Sequence, residues 1–134
     1  MIAHLIHAYK VAHAIIREHS KSVTRSSKWG GVRKAALLAN PKCAICGDVL
    51  HLQVHHMKPF HDFPELELDP KNLIVLCMGK NECHLLIGHG DNFKKYNPYI
   101  AADAMNVRAG SITYAETVIE AKKNAIFLPA DISN

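Results

Sequence analysis

The sequence predicts an α+β fold in which strand, loop, strand and helix follow one another, tied by cysteines and flanked by helices. Three observations predict it. Residues 49–55 alternate apolar and polar side chains, and a second short apolar run, Leu73-Ile-Val-Leu76, follows after a proline-rich gap. Cys43 and Cys46 precede these two runs, and Cys77 and Cys83 close them. Helical spacing of apolar residues appears towards the two ends of the chain.

Taken in order, Ile2, Leu5, Ile6, Tyr9, Ala12 and Ile16 recur at helical spacing, so residues 2–18 predict an amphipathic helix. His4, His7 and Lys10 lie off its apolar stripe and read as surface. Residues 20–27 are polar and read as a linker or arm. A second helix is expected over Gly31–Leu38, ending before Pro41. Lys42–Gly47 reads as a tight knuckle. The first strand covers Val49–His55, Lys58–Pro70 holds three prolines and forms a loop, and the second strand covers Asn72–Cys77. A helix should start near Asn81 and carry Cys83, His84 and Leu85. Asn97-Pro98 breaks the chain, and two helices follow near 98–107 and 112–124, the second with Thr113 and Glu116 at capping-box spacing.

Composition narrows the function classes. The chain has 134 residues and a net charge of +4. The basic excess sits in residues 1–40, where Lys10, Arg17, Lys21, Arg25, Lys28, Arg33 and Lys34 face Glu18 alone; the rest is slightly acidic. That asymmetry suits an arm or face for a polyanion, with a solvated helix surface as the plain alternative. No stretch approaches the ~18 apolar residues of a membrane span. A signal peptide is not expected either, because Lys10 and four histidines interrupt the apolar N-terminus. The expectation is an intracellular, cytoplasmic protein, where cysteines serve metals more often than disulfides.

Cys43-Ala-Ile-Cys46 followed by Gly47 forms a knuckle whose two thiolates can share one ion. A lone pair of this spacing also fits redox chemistry. The second pair, Cys77 and Cys83, favours zinc: four thiolates complete a tetrahedron with no open position, which marks a structural site. Five residues separate Cys77 from Cys83, wider than the usual two. The histidines form a second group. His55 and His56 end the first strand, Asn72 opens the second, and His84 and His89 follow Cys83. Strand neighbours point to opposite faces, so one of His55 and His56 can ligate a metal while the other acts at a reacting centre.

With these residues the sequence resembles the HNH nuclease family, built on the ββα-metal, treble-clef-like fold. His56, Asn72 and His84 or His89 carry the likeness, framed by Cys43-x-x-Cys46 and Cys77…Cys83. Phe63-Pro-Glu-Leu-Glu-Leu-Asp-Pro-Lys-Asn-Leu73, Cys83-His-Leu-Leu-Ile-Gly-His89 and Tyr96-Asn-Pro98 bring it nearest to small phage-type members with a four-cysteine zinc site, and Trp29 and Arg33 fit as well. The resemblance covers about residues 25–99. It implies a nuclease core there; outside it, helical spacing and composition give an N-terminal helix and basic linker over 1–24 and a helical extension over 100–134.

The resemblance also implies roles. His56 would be the general base, His55 a ligand of the catalytic metal, Asn72 the brace of the loop that orients His56, and His84 with His89 the rest of the metal site. Imidazole ligands tolerate manganese, nickel, cobalt or zinc, while magnesium prefers oxygen. The implied partner is DNA, with RNA open as a substrate, and Arg25, Lys28, Arg33 and Lys34 are candidates to track its phosphates. A phage packaging role beside a terminase, or a homo-oligomer through the C-terminal helices, is a further expectation. So is the rival reading, a zinc-stabilised nucleic-acid-binding module without catalysis. One step strains the pattern: residues five apart on a regular α-helix point about 140° away from each other, so His84 and His89 cannot converge from one. Gly88 and Gly90 allow a bulge there; otherwise His61 is the third ligand.

Overall fold

The computed structural model describes residues 24–128. The helix expected over residues 2–18 and most of the basic arm lie outside the described residues. The architecture is small, mixed α+β. Helix α1 (Trp29–Ala39) leads through the cysteine knuckle into an antiparallel hairpin of β1 (Leu52–His56) and β2 (Leu73–Cys77). A π turn (His84–Gly88) follows, then β3 (Lys95–Tyr96), α2 (Ile100–Arg108), α3 (Tyr114–Asn124) and β4 (Ile126–Phe127), which pairs antiparallel with β3. Among the described residues no helix is long and apolar enough to cross a membrane.

The hairpin register sets Val54 opposite Val75, His55 opposite Ile74 and His56 opposite Leu73. Its first strand starts three residues later than the alternation predicts. Leu50 N–H donates to the Asp48 side chain, and His51 takes a positive φ of 54°, so the chain turns before pairing begins and leaves Val49 and Leu50 exposed. The long β1–β2 loop contains two 3-10 turns, Pro64–Leu66 and Pro70–Asn72, each begun by a proline whose missing N–H would have had no partner there.

The core is shared by the knuckle, the hairpin and the C-terminal helices: Cys43, Ile45, Leu76, Cys77, Cys83, Ile87, Ile100, Ala104 and Ala121 pack together. Helix α3 starts with the expected capping box, Thr113 accepting from Glu116 N–H and Glu116 reaching back to Thr113 N–H. It lies against the π turn. Gly90, at φ +57°, permits that approach, since a side chain there would strike Ala125 Cβ and the Ala121 carbonyl.

The regular helix expected from Asn81 is not formed. Cys83 turns its sulfur into the cysteine cluster, and the chain then widens into the π turn. The free carbonyls of that turn are held from outside: Asn97 N–H donates to Gly88 O at 2.9 Å and Asn97 Nδ2 to Ile87 O at 3.0 Å. Asn97 is fully buried, and its Nδ2 also donates to Asp103. A wide turn without those donors would leave buried carbonyls unmatched.

Candidate metal centre

Two clusters of ligand-type side chains flank the hairpin. In the first, the sulfurs of Cys43, Cys46, Cys77 and Cys83 all lie within 4.8 Å of one another, and Cys46 Sγ is 3.6 Å from Cys77 Sγ. Tetrahedral zinc with thiolates at about 2.3 Å separates its sulfurs by about 3.8 Å, so the spacing suits one ion held by all four. Gly47 at φ +78° makes the knuckle, where its N–H donates to Cys43 O. Cys43, Cys77 and Cys83 are buried. The thiol of Cys83, hydrogen-bonded to the Cys43 sulfur, pulls the Cys43 pKa down to about 4, while that of Cys83 is pushed up by the same hydrogen bond and that of Cys77 by burial. The buried cluster therefore resists holding four thiolates at once, and a divalent cation would supply the missing charge. Tyr114 of α3 donates to Asn81 O beside the cluster.

The second cluster is His55, His84 and His89, again within 4.8 Å. The rings stand 4.9–5.0 Å apart by centroid. A π turn bonds residue i to i+5, which brings side chains five apart roughly one above the other, and this lets His84 and His89 converge. Gly88 clears the space between Leu76, His55 and His84: a Cβ there would sit 3.2 Å from Leu76, and 3.4 Å from both His55 Cε1 and His84 Cδ2. His61 stands outside the cluster, its ring against Phe60.

The second nitrogens of two of these rings are tied down. His84 Nδ1 donates to Gln53 Oε1 at 2.6 Å, and His89 Nδ1 donates to the Lys95 carbonyl at 2.7 Å. With their protons on Nδ1, both rings turn Nε2 lone pairs inwards. Those two Nε2 atoms are 3.2 Å apart, a repulsive contact between lone pairs. Two nitrogens bound to one ion at about 2.1 Å lie roughly 3.0–3.4 Å apart, so a shared cation would turn the repulsion into ligation. His55 is 3% exposed, and among the described residues its Nε2 has no hydrogen-bond partner. Burial holds all three imidazoles below their ordinary range, His84 at about 4, so they are neutral near pH 7 and free to ligate. Three nitrogen ligands leave open positions for water or substrate.

His56 points to the other face of β1. Its ring lies 4.5 Å from that of Trp29 in α1, and its Nε2 is 2.9 Å from the Glu67 carbonyl. A carbonyl only accepts, so Nε2 carries the proton and the neutral ring presents its lone pair at Nδ1. Burial lowers the His56 pKa, which favours that neutral ring. Asn72 closes the loop beneath it: Oδ1 accepts from Lys58 N–H, while Nδ2 donates to the carbonyls of Lys58 and Leu66. Glu67 is buried. Its carboxylate accepts from Ser26 N–H and pairs with Arg25, whose guanidinium lies over Trp29 and Phe60. Arg25 makes these contacts while remaining exposed, and Lys28, Arg33 and Lys34 are likewise exposed on or beside α1.

Residues 43–90 match the HNH endonuclease family. The HNH segment runs from the first cysteine to just past His89 and so contains both clusters and His56. No curated protein and no solved structure matched the chain. The fold and the cysteine cluster agree with the α+β, metal-stapled reading of the sequence.

Sequence reasoning missed Gln53, Asn97, Glu67 and the Lys95 carbonyl. Gln53 had a signal: it lies two residues from His55 on an alternating strand, hence on the same face. Asn97 and Glu67 stand in motifs that carry the family likeness, but their roles as clamp and carbonyl acceptor, like that of the Lys95 carbonyl, have no signal in a sequence.

Proposed function

We propose that this protein is a metal-dependent endonuclease that hydrolyses phosphodiester bonds of DNA. In this reading Cys43, Cys46, Cys77 and Cys83 hold a structural zinc, and His55, His84 and His89 hold an exchangeable divalent ion. The observation that carries it is the convergence of three neutral imidazoles in an HNH segment, two with their rings fixed from behind and their Nε2 atoms turned inwards. Bound there, the ion would act as a Lewis acid on the phosphate and leaving oxygen.

The chain's own residues supply the rest. His56, with its proton on Nε2 and its lone pair on Nδ1, takes a proton from the attacking water as general base. The Glu67 carbonyl fixes the tautomer. Asn72 keeps the loop that carries Glu67 closed. Lys28, Arg33 and Lys34 contact DNA phosphates without reading sequence.

Nicking of supercoiled plasmid with added manganese, nickel or magnesium tests the proposal. The parent protein should cut with at least one of them, and His56→Ala should lose most of the activity. Equal cutting by both proteins would remove His56 from the role of base. A second reading, a zinc-stabilised nucleic-acid-binding module, is favoured by the burial of His56 beneath Trp29. Calorimetry that finds one tightly held zinc and no second divalent site would select it.

A further inference from the structure

A short ribbon borders the three-histidine cluster. The turn Asn92-Phe93-Lys94 leads into β3, which pairs with β4. Its backbone serves the cluster, through the Lys95 carbonyl that accepts from His89. Its side chains do something the metal site does not require. Phe93 lays part of its ring against the cluster, 4.8 Å from the His89 ring and 6.0 Å from that of His84, where the contact is edge-on. Yet Phe93 is 54% exposed. Lys94, next in the chain, is exposed, and the Lys95 ammonium lies 4.5 Å from the ring centre of Phe127, itself 41% exposed. Two exposed aromatic rings and two lysines therefore share one ribbon at the edge of the ligand cluster.

Aromatic faces beside cations suit one kind of ligand especially well. Bases of a single strand stack on aromatic side chains whatever their identity, and lysines neutralise the phosphates between them. A closed duplex hides its base faces within its own stack and offers Phe93 nothing unless a base is first extruded. We infer that Phe93 is a stacking platform for an unpaired nucleobase beside the three-histidine cluster, with Lys94 and Lys95 on the neighbouring phosphates. The preferred substrate is then single-stranded or locally unpaired nucleic acid. This deepens the nuclease reading and rests on it for the cutting, though not for the binding.

Binding is measured by fluorescence anisotropy with a labelled single-stranded 12-mer and the same sequence as duplex, in a His56→Ala background that suppresses cutting. Phe93→Ala should weaken single-strand binding about tenfold and duplex binding less than twofold. Phe93→Tyr should restore it, and Phe93→Leu, which keeps apolar cover but has no π face, should not. An abasic 12-mer should bind the parent background as weakly as the normal 12-mer binds Phe93→Ala. Equal losses on both nucleic acids, rescue by leucine, or full affinity for the abasic strand would each overturn the platform. If Phe93→Ala fails to fold, the tyrosine, leucine and abasic comparisons still decide. Cleavage separates the two readings. A protein that cuts plasmid while its Phe93 variants keep the parental single-strand to duplex ratio refutes the platform alone. Single-strand binding that needs Phe93, with no cutting under any metal, refutes the nuclease alone.

Discussion

The two ligand clusters sit in one small fold and differ in every respect that matters to a metal. The cysteine cluster is an integral part of the core: three of its four sulfurs are buried, and Cys43, Cys77 and Cys83 pack with Ile45, Leu76 and Ile87. It offers four thiol ligands, the full set of a tetrahedral ion. The histidine cluster has three ligands, and two of its rings are steered from behind by Gln53 and the Lys95 carbonyl. One cluster joins segments distant in sequence, and the other is aimed. The difference teaches that ligand number and ring orientation, more than burial, would separate the proposed staple from the proposed reaction site, since His55 is as buried as Cys43, Cys77 and Cys83.

Breaking the staple should have the largest effect. Cys83→Ser, or a strong chelator acting on the parent, should abolish the cooperative thermal transition, because structural zinc binding in small domains is worth about 10 kcal/mol or more of folding free energy. Circular dichroism would reveal it, and a chelated protein with an unchanged melt would mean that the cluster is no staple. His56→Ala should come next, lowering cleavage by about 10²–10⁴ with divalent affinity unchanged within twofold. His84→Ala should instead lose both cleavage and divalent binding while keeping its zinc and its melt. Identical behaviour of the two variants in calorimetry would erase the division of labour between the faces of β1.

Gln53→Ala sharpens the idea of aiming. Loss of the acceptor behind His84 should weaken the second divalent site by about 10-fold or more and leave the zinc untouched. Asn97→Ala should cost about 1–3 kcal/mol in urea melts, because the Ile87 carbonyl loses its donor. An unchanged midpoint would mean that the π turn holds itself.

Acid provides a subtler comparison. Burial depresses His55, His84 and His89, with His84 at about 4, whereas imidazoles of the unfolded chain titrate near about 6.5. As pH falls, the unfolded chain takes up protons first. The stability tied to neutral imidazoles is therefore whole above about 6.5 and is lost as pH falls through the depressed values of the folded state. Zinc release from the cysteines also occurs in acid, so the useful quantity is the difference between parent and His84→Gln. That difference, parent minus variant, in urea melts from pH 7 to 4, should move against the parent as the pH drops, and a constant difference would contradict a neutral buried His84.

Most of the plan can be read from residue spacing. The hairpin, the capping box at Thr113 and Glu116, and the grouping of four cysteines all follow from local periodicity and familiar ligand intervals. The errors fall where one residue's backbone choice depends on a distant partner. His51 at a positive φ shortened the first strand, and a π turn, its carbonyls held by Asn97, replaces the regular helix and brings His84 and His89 together. Sequence spacing also gives no sign that Arg25 lies over Trp29 and Phe60 and pairs with Glu67, 42 residues away.

The sequence by itself determined which chemistry is available: soft thiolates for a closed ion, imidazoles for an open one, and a basic N-terminal third. Only the tertiary structure decided which imidazoles converge, which nitrogen each one presents, and which charge stays free. Those outcomes hang on hydrogen bonds to Gln53, Glu67, Lys95 and Asn97, and a carbonyl acquires a role only when the fold brings a donor within about 3 Å of it.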